Sequence, residues 1–232
     1  MEPIWNLVIY FAVCAFIGWI IQALSDLIAK RKMTNSGFLY GPFVPIFGFT
    51  ALAIYFFDLY FVDFPLYFRM MGFFVIPTII EYFTGYLLEV IFKVKLWDYS
   101  AYRFNLKGRI SLAVSTLWFL LILFQVFVLQ KIIFDGINQF NEIFRIIFAI
   151  SLIIYFGIDF FFSTKVFYYF SKIKKEFEES IGKIDLRKLN KKLISKIKSV
   201  SIKMKISPIL KESLRKDERE FIEQLGKDKK DN

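Results

Sequence analysis

Residues 69–92 read RMMGFFVIPTIIEYFTGYLLEVIF, a run of bilayer length with Arg69 at its start and two carboxylates, Glu81 and Glu89, inside it. Apolar stretches this long indicate membrane spans rather than a soluble core, and the rest of the chain agrees: 56% of its 232 residues are hydrophobic and 20% aromatic. Moving outward from residues 69–92, four more runs approach bilayer length, at about 4–28, 41–61, 110–130 and 143–164. The expected fold is therefore an all-α integral membrane protein, a bundle of about five transmembrane helices over residues 1–164. The first run has no basic residue before it and no small-residue cleavage signature after it, so it reads as an uncleaved span.

Charge changes abruptly at the end of the fifth run. Residues 1–164 hold 11 Lys/Arg against 10 Asp/Glu, whereas residues 165–232 hold 20 against 11. In that tail Leu186, Leu189, Leu193, Ile197, Val200 and Met204 recur every three or four residues with lysines between them, which predicts a basic amphipathic helix. It suits an anionic lipid surface or a partner helix; nucleic acid is not expected. Lys30, Arg31 and Lys32 lie in the first loop, and Lys93, Lys95, Arg103, Lys107 and Arg109 in the third, while loops two and four are poorer. Basic loops favour the cytoplasm, so Met1 is expected outside and Asn232 inside, with the chain multi-pass in the cytoplasmic membrane.

The absence of histidine removes the commonest zinc ligand and the usual neutral-pH base, so neither metal nor cofactor is expected. Cys14, the single cysteine, reads as a buried hydrophobe. Glu81, Gly85 and Glu89 fall at i, i+4 and i+8, nearly on one helix face. Their carboxylates are separated by about 12 Å along the axis at a rise of ~1.5 Å per residue, which suits a polar track better than a pair flanking one bond. A carboxylate near the bilayer centre costs at least about 2.5 kcal/mol if it faces lipid, so Glu81 is expected to face protein or water. Glu89 lies closer to the interface and can pair with Lys93 or Arg109. Pro77 removes a backbone bond, and Gly85 leaves room for close helix approach.

GFLYGPFVPIFGF, residues 37–49, brings Gly37, Tyr40, Gly41, Pro42, Pro45 and Gly48 to the start of the second span. Two structures fit: a broken or re-entrant helix whose backbone groups line a path, or an ordinary helix with proline in its first turn. Loop three, KVKLWDYSAYRFNLKGR, gathers Trp97, Asp98, Tyr99, Asn105 and Arg109, more bond-forming groups than a connector needs. If it folds back on the third span, Arg109 can meet Glu89 or Asp98 as a bidentate partner. Its aromatic residues equally suit interfacial anchoring. Gln22, Asp26, Gln125 and Asp159 are scattered polar residues, and Asp26 and Asp159 are expected near the inner interface, in solvent.

The stretches GFLYGPFVPIFGF, EYFTGYLLEVIF at 81–92 and KLWDYSAYRFNLKGRISL at 95–112 together resemble the bacterial family of ABC transporter permeases of the CmpB type. The resemblance covers about residues 5–130. It implies a permease subunit. The residues themselves suggest a substrate path at Glu81, Gly85, Glu89, Tyr40, Pro42 and Pro45, and a cytoplasmic coupling loop at Trp97, Asp98, Tyr99, Asn105 and Arg109. The pattern GxxxxGK[ST] is absent, so the ATPase of such a system is a separate polypeptide. Five spans are few for a complete transporter, so an oligomer is expected. Two other functions fit the same residues. One is a membrane-embedded enzyme acting on lipid or polyprenyl substrates, with a glutamate as acid or base and Arg109 on a phosphate. The other is a non-catalytic scaffold or sensor.

Overall fold

The computed structural model describes residues 1–31 and 37–181. Among these residues the α-helices are α1 (Ile4–Lys30), α2 (Pro45–Tyr60), α3 (Leu66–Phe92), α4 (Leu112–Phe124), α5 (Gln130–Asn138) and α6 (Glu142–Ile181). A π-helical turn, Gln125–Leu129, joins α4 to α5, and loop three carries a small antiparallel hairpin of β1 (Asn105–Leu106) and β2 (Ile110–Ser111). Four helical stretches are long and apolar enough to cross a membrane: Ile4–Ile28, Leu66–Phe92, Leu112–Asn138 and Glu142–Tyr169. The protein is an all-α, multi-span membrane protein. The amphipathic helix expected at residues 186–204 lies outside the described residues.

The second run differs from the other four. α2 has 16 residues, so it measures about 24 Å at ~1.5 Å per residue, short of a hydrocarbon core of about 30 Å. Of the two structures read from GFLYGPFVPIFGF, the helix with proline in its first turn is present. Pro45 occupies the first turn of α2, where its missing N–H costs nothing, and residues 37–44 ahead of it are non-helical. The Val44 amide donates to the Ala15 carbonyl at 3.0 Å, and Ala15 sits at the middle of α1. α2 therefore starts level with the middle of α1, and the irregular segment 37–44 precedes it. Proline at 42 and 45 prevents helix from propagating backwards into it.

α1 lies at the centre, touching α2, α5 and α6; α3 packs between α2 and α4 and also reaches α6. Where α1, α2 and α5 meet, Tyr10 stacks on Phe134 at 4.7 Å. The π turn aims Gln125 inward, and its Nε2 donates to the Tyr10 hydroxyl at 2.9 Å. At the Met1 end, fully buried Asn6 donates to Glu2 and Asn138 and accepts from Arg145 at 2.9 Å, which ties the start of α1 to the α5–α6 turn. At the opposite end Phe38 stacks on Phe167 at 4.8 Å beside Phe92. Successive helices alternate in direction, so loop three and the C-terminal end of α1 lie at one end of the bundle and Met1 at the other.

Candidate functional site

α3 presents Glu81, Gly85 and Glu89 to loop three, which folds back along it. Glu81 is buried, 2% exposed. The Tyr99 hydroxyl donates to its Oε1 at 3.0 Å, the Trp118 indole of α4 lies beside the same carboxyl, and Oε2 closes no bond of good geometry. Burial, and after it the neighbouring Glu81 carboxyl, holds the Tyr99 phenol far above its ordinary range, so Tyr99 is a permanent donor here. One turn along the helix, Gly85 faces Trp97 and Arg109. A Cβ built there stands 3.4 Å from the Trp97 ring and 3.6 Å from Arg109, ordinary contact distances. What approaches Gly85 is thus loop three rather than another span, and the absence of a side chain is not what permits it.

Arg109 closes the column. Its Nε donates to Glu89 Oε2 at 2.7 Å, Nη2 donates to the same oxygen, and Nη1 donates to the Tyr82 hydroxyl at 3.1 Å. The guanidinium also lies over the Tyr86 ring, 5.1 Å from its centroid. Hydrogen bonding to Glu89 pushes its affinity for the proton above the already high ordinary value. Lys95 bridges Glu89 Oε1 and Asp98 at 3.5 and 3.4 Å. Loop three is built to hold this arrangement. Trp97 Nε1 donates to the Arg109 carbonyl at 2.9 Å, and Asp98 accepts from the amide and hydroxyl of Ser100, whose hydroxyl holds the Asp98 carboxyl below its usual range. Asn105 donates to the Tyr102 carbonyl at 2.8 Å and accepts from the Gly108 amide at 3.1 Å. Lys107 and Gly108 both adopt positive φ, 54° and 71°, in a turn closed by the Arg109 amide on the Leu106 carbonyl.

A second carboxylate within an apolar span holds segment 37–44. Asp159 of α6 is 7% exposed, and its two oxygens accept the amides of Tyr40 and Gly41, each at 2.9 Å. Ser163, one turn further on, donates to Asp159 at 3.1 Å and accepts from the Tyr40 amide at 3.2 Å. The expectation that Asp159 is solvated near an interface is thereby corrected. Its apolar span runs on to Tyr169, which leaves Asp159 ten residues inside it, and two backbone N–H groups freed by the irregular segment take the place of water. Gly41 admits this contact, because a Cβ there would meet the Tyr155 hydroxyl at 1.9 Å and Asp159 at 2.9 Å.

The family described as Putative ABC-transporter type IV, of the CmpB type, matches residues 9–164, about two thirds of the sequence. This chain belongs to that family. No curated protein and no solved structure matches it. The family match reaches beyond residue 130 and takes in the fifth crossing, so Asp159 and Ser163 lie within the family region along with Glu81, Glu89 and Arg109. Of the residues expected on one path, Glu81, Gly85 and Glu89 meet loop three, whereas Tyr40 sits against α6 and Pro45 lines an apolar cleft to which α3 and Trp97 of loop three also contribute. Pro42 is half-buried between them. Sequence reasoning gave Asp159 and Ser163 no role, although an Asp–Ser pair at i, i+4 inside GIDFFFST is a visible signal of a polar face in an apolar helix. Among the described residues no cluster of three or more His, Cys, Asp or Glu side chains forms a metal site.

Proposed function

We propose that this chain is the membrane-spanning subunit of an ABC-type transport system, multi-pass in the cytoplasmic membrane, with a polar path that includes Glu81 and a separate ATPase subunit docking at loop three. In this proposal Met1 faces outward, the basic loops and the tail of residues 165–232 face the cytoplasm, and the working unit is an oligomer. The observation that carries it is the second apolar run, irregular backbone over 37–44 and helix from Pro45, pinned at its irregular part by Asp159. Transporters use such interrupted helices to turn backbone groups toward cargo and to give a crossing two arrangements. Family membership points the same way. A loop as internally bonded as loop three provides a rigid surface for transmitting a partner's motion.

The enzyme reading needs Arg109 on a phosphate, and the Arg109 fork is committed to Glu89 and Tyr82. The test is cross-linked purification of the full chain from native membranes. A nucleotide-binding subunit should co-purify, with cross-links at Arg103 or Lys107, both exposed on loop three. Recovery of the chain without any such subunit, together with an altered lipid profile in a deletion strain, would transfer support to the enzyme.

A further inference from the structure

A groove of about 710 Å³ runs between segment 37–44 and one stripe of α6, with Tyr40 and Gly41 on one wall and Tyr155, Ile158, Phe162 and Lys165 on the other. Asp159 closes its floor; the oxygens of that carboxylate are turned into the protein and accept the Tyr40 and Gly41 amides and the Ser163 hydroxyl. The groove opens sideways, because Ile158 and Phe162 are each 54% exposed within the apolar span Glu142–Tyr169 and so face lipid. Lys165, Tyr169 and Lys172 fall at i, i+4 and i+7 on the face of α6 that carries Ile158 and Phe162. They stand where the apolar span ends, at the end of the bundle where Phe167 meets Phe92, the last residue of α3.

Charge selects the occupant. Arg69, Lys95 and Arg109 each meet a carboxylate, whereas Lys165 and Lys172 form no ion pair or hydrogen bond with a described residue. Asp159 does not neutralise Lys165, since it lies about 9 Å away along the axis at ~1.5 Å per residue and its charge is already held by two amides and a hydroxyl. Two ammonium groups with a phenol between them form a donor set for an anion, and lysine serves phosphate as a point charge. Inward of that set Ile158, Phe162 and Val166 present only hydrocarbon. An apolar wall followed by a cationic rim matches a phospholipid, whose chains lie inward of its phosphate, whereas a free phosphate would use the rim alone. We propose that this groove binds one anionic phospholipid, with its phosphate among Lys165, Tyr169 and Lys172 and an acyl chain against Ile158 and Phe162. A zwitterionic lipid is disfavoured, because its own ammonium would stand beside two lysines. The site is independent of the permease assignment, since it requires neither transport nor a docked ATPase, and it does not use the lysines of residues 186–204.

The test is native mass spectrometry of the full-length protein, purified in detergent and incubated with an equimolar mixture of phosphatidylglycerol and phosphatidylcholine of identical chains. The first lipid retained should be phosphatidylglycerol by about tenfold, the scale of one hydrogen bond to a charged group. Lys165→Gln combined with Lys172→Gln should bring the ratio near one at an unchanged thermal midpoint, since both side chains are exposed. Lys188→Gln, Lys191→Gln and Lys192→Gln together, the control for the basic tail, should leave the ratio as it is. Ile158→Trp enlarges an exposed side chain that lines the groove and should release the first lipid. Equal retention of the two lipids by the unaltered protein, a preference that survives loss of Lys165 and Lys172 or follows the tail lysines instead, or a first lipid indifferent to Ile158→Trp would each overturn the proposal.

Discussion

At the scale of single residues, Glu81 and Glu89 show how position along one helix separates two chemically identical groups. Glu89 is neutralised by Arg109 and Lys95, whereas Glu81 receives one hydroxyl bond and keeps an oxygen open inside the protein. Glu81→Gln keeps the shape and removes the titratable group; it should abolish activity in a complementation assay while membrane abundance holds. Full activity would reduce Glu81 to a packing contact. Tyr99→Phe deletes the only bond of good geometry to that carboxyl and should destabilise by about 1–3 kcal/mol, the cost of an orphaned buried acceptor, read as a lower thermal midpoint in detergent. Arg109→Lys keeps the charge but loses the fork and the stacking on Tyr86, so it should lower the midpoint more than Glu89→Gln does. An unchanged midpoint for Arg109→Lys beside a lowered one for Glu89→Gln would show that the pair acts through charge alone.

At the scale of elements, the second crossing depends on α6. Segment 37–44 has backbone groups that no helix satisfies, and the Asp159 carboxylate accepts two of them within the apolar interior. Asp159→Asn turns one accepting oxygen into an N–H donor facing an N–H donor, which should loosen the segment. A cysteine placed at Phe43 should then react faster with a membrane-permeant maleimide, by about tenfold for a local opening made about 1.4 kcal/mol easier. Gly41→Ala forces its Cβ against Tyr155 and should produce the same exposure with Asp159 intact. If neither substitution changes labelling, the segment is held by its aromatic packing on α6 rather than by the carboxylate.

At the scale of the whole molecule, α6 continues as one helix to Ile181, past the point where the charge balance changes at residue 165. The contacts that fix its far end, Phe167 with Phe38 and Phe92, lie before Ser171. Truncation after Ser171 should therefore leave an inserted protein with the same thermal midpoint, and its degradation would make the tail part of the assembly. A reporter active only outside the cytoplasm, fused after Asn232, should be silent; activity would invert the proposed orientation.

Much of this was legible in the sequence. Apolar run length fixed the multi-span helical class, because in hydrocarbon a backbone must close its own hydrogen bonds and a helix does so within the run. Proline and glycine spacing marked where α2 begins without choosing between a broken and an ordinary helix, and the i, i+4, i+8 spacing put Glu81, Gly85 and Glu89 on one face, since these depend only on local geometry. Other features required distant segments to meet. Loop three could be read as able to fold back, but that Tyr99 rather than Arg109 would reach Glu81 depends on how deeply the hairpin settles against α3 and α4. Asp159 looked like an interfacial residue until the amides of Tyr40 and Gly41, over a hundred positions away, were placed against it. A charge inside an apolar helix announces that it needs a partner, and only the tertiary structure supplies one, because the partner's sequence carries no trace of the pairing.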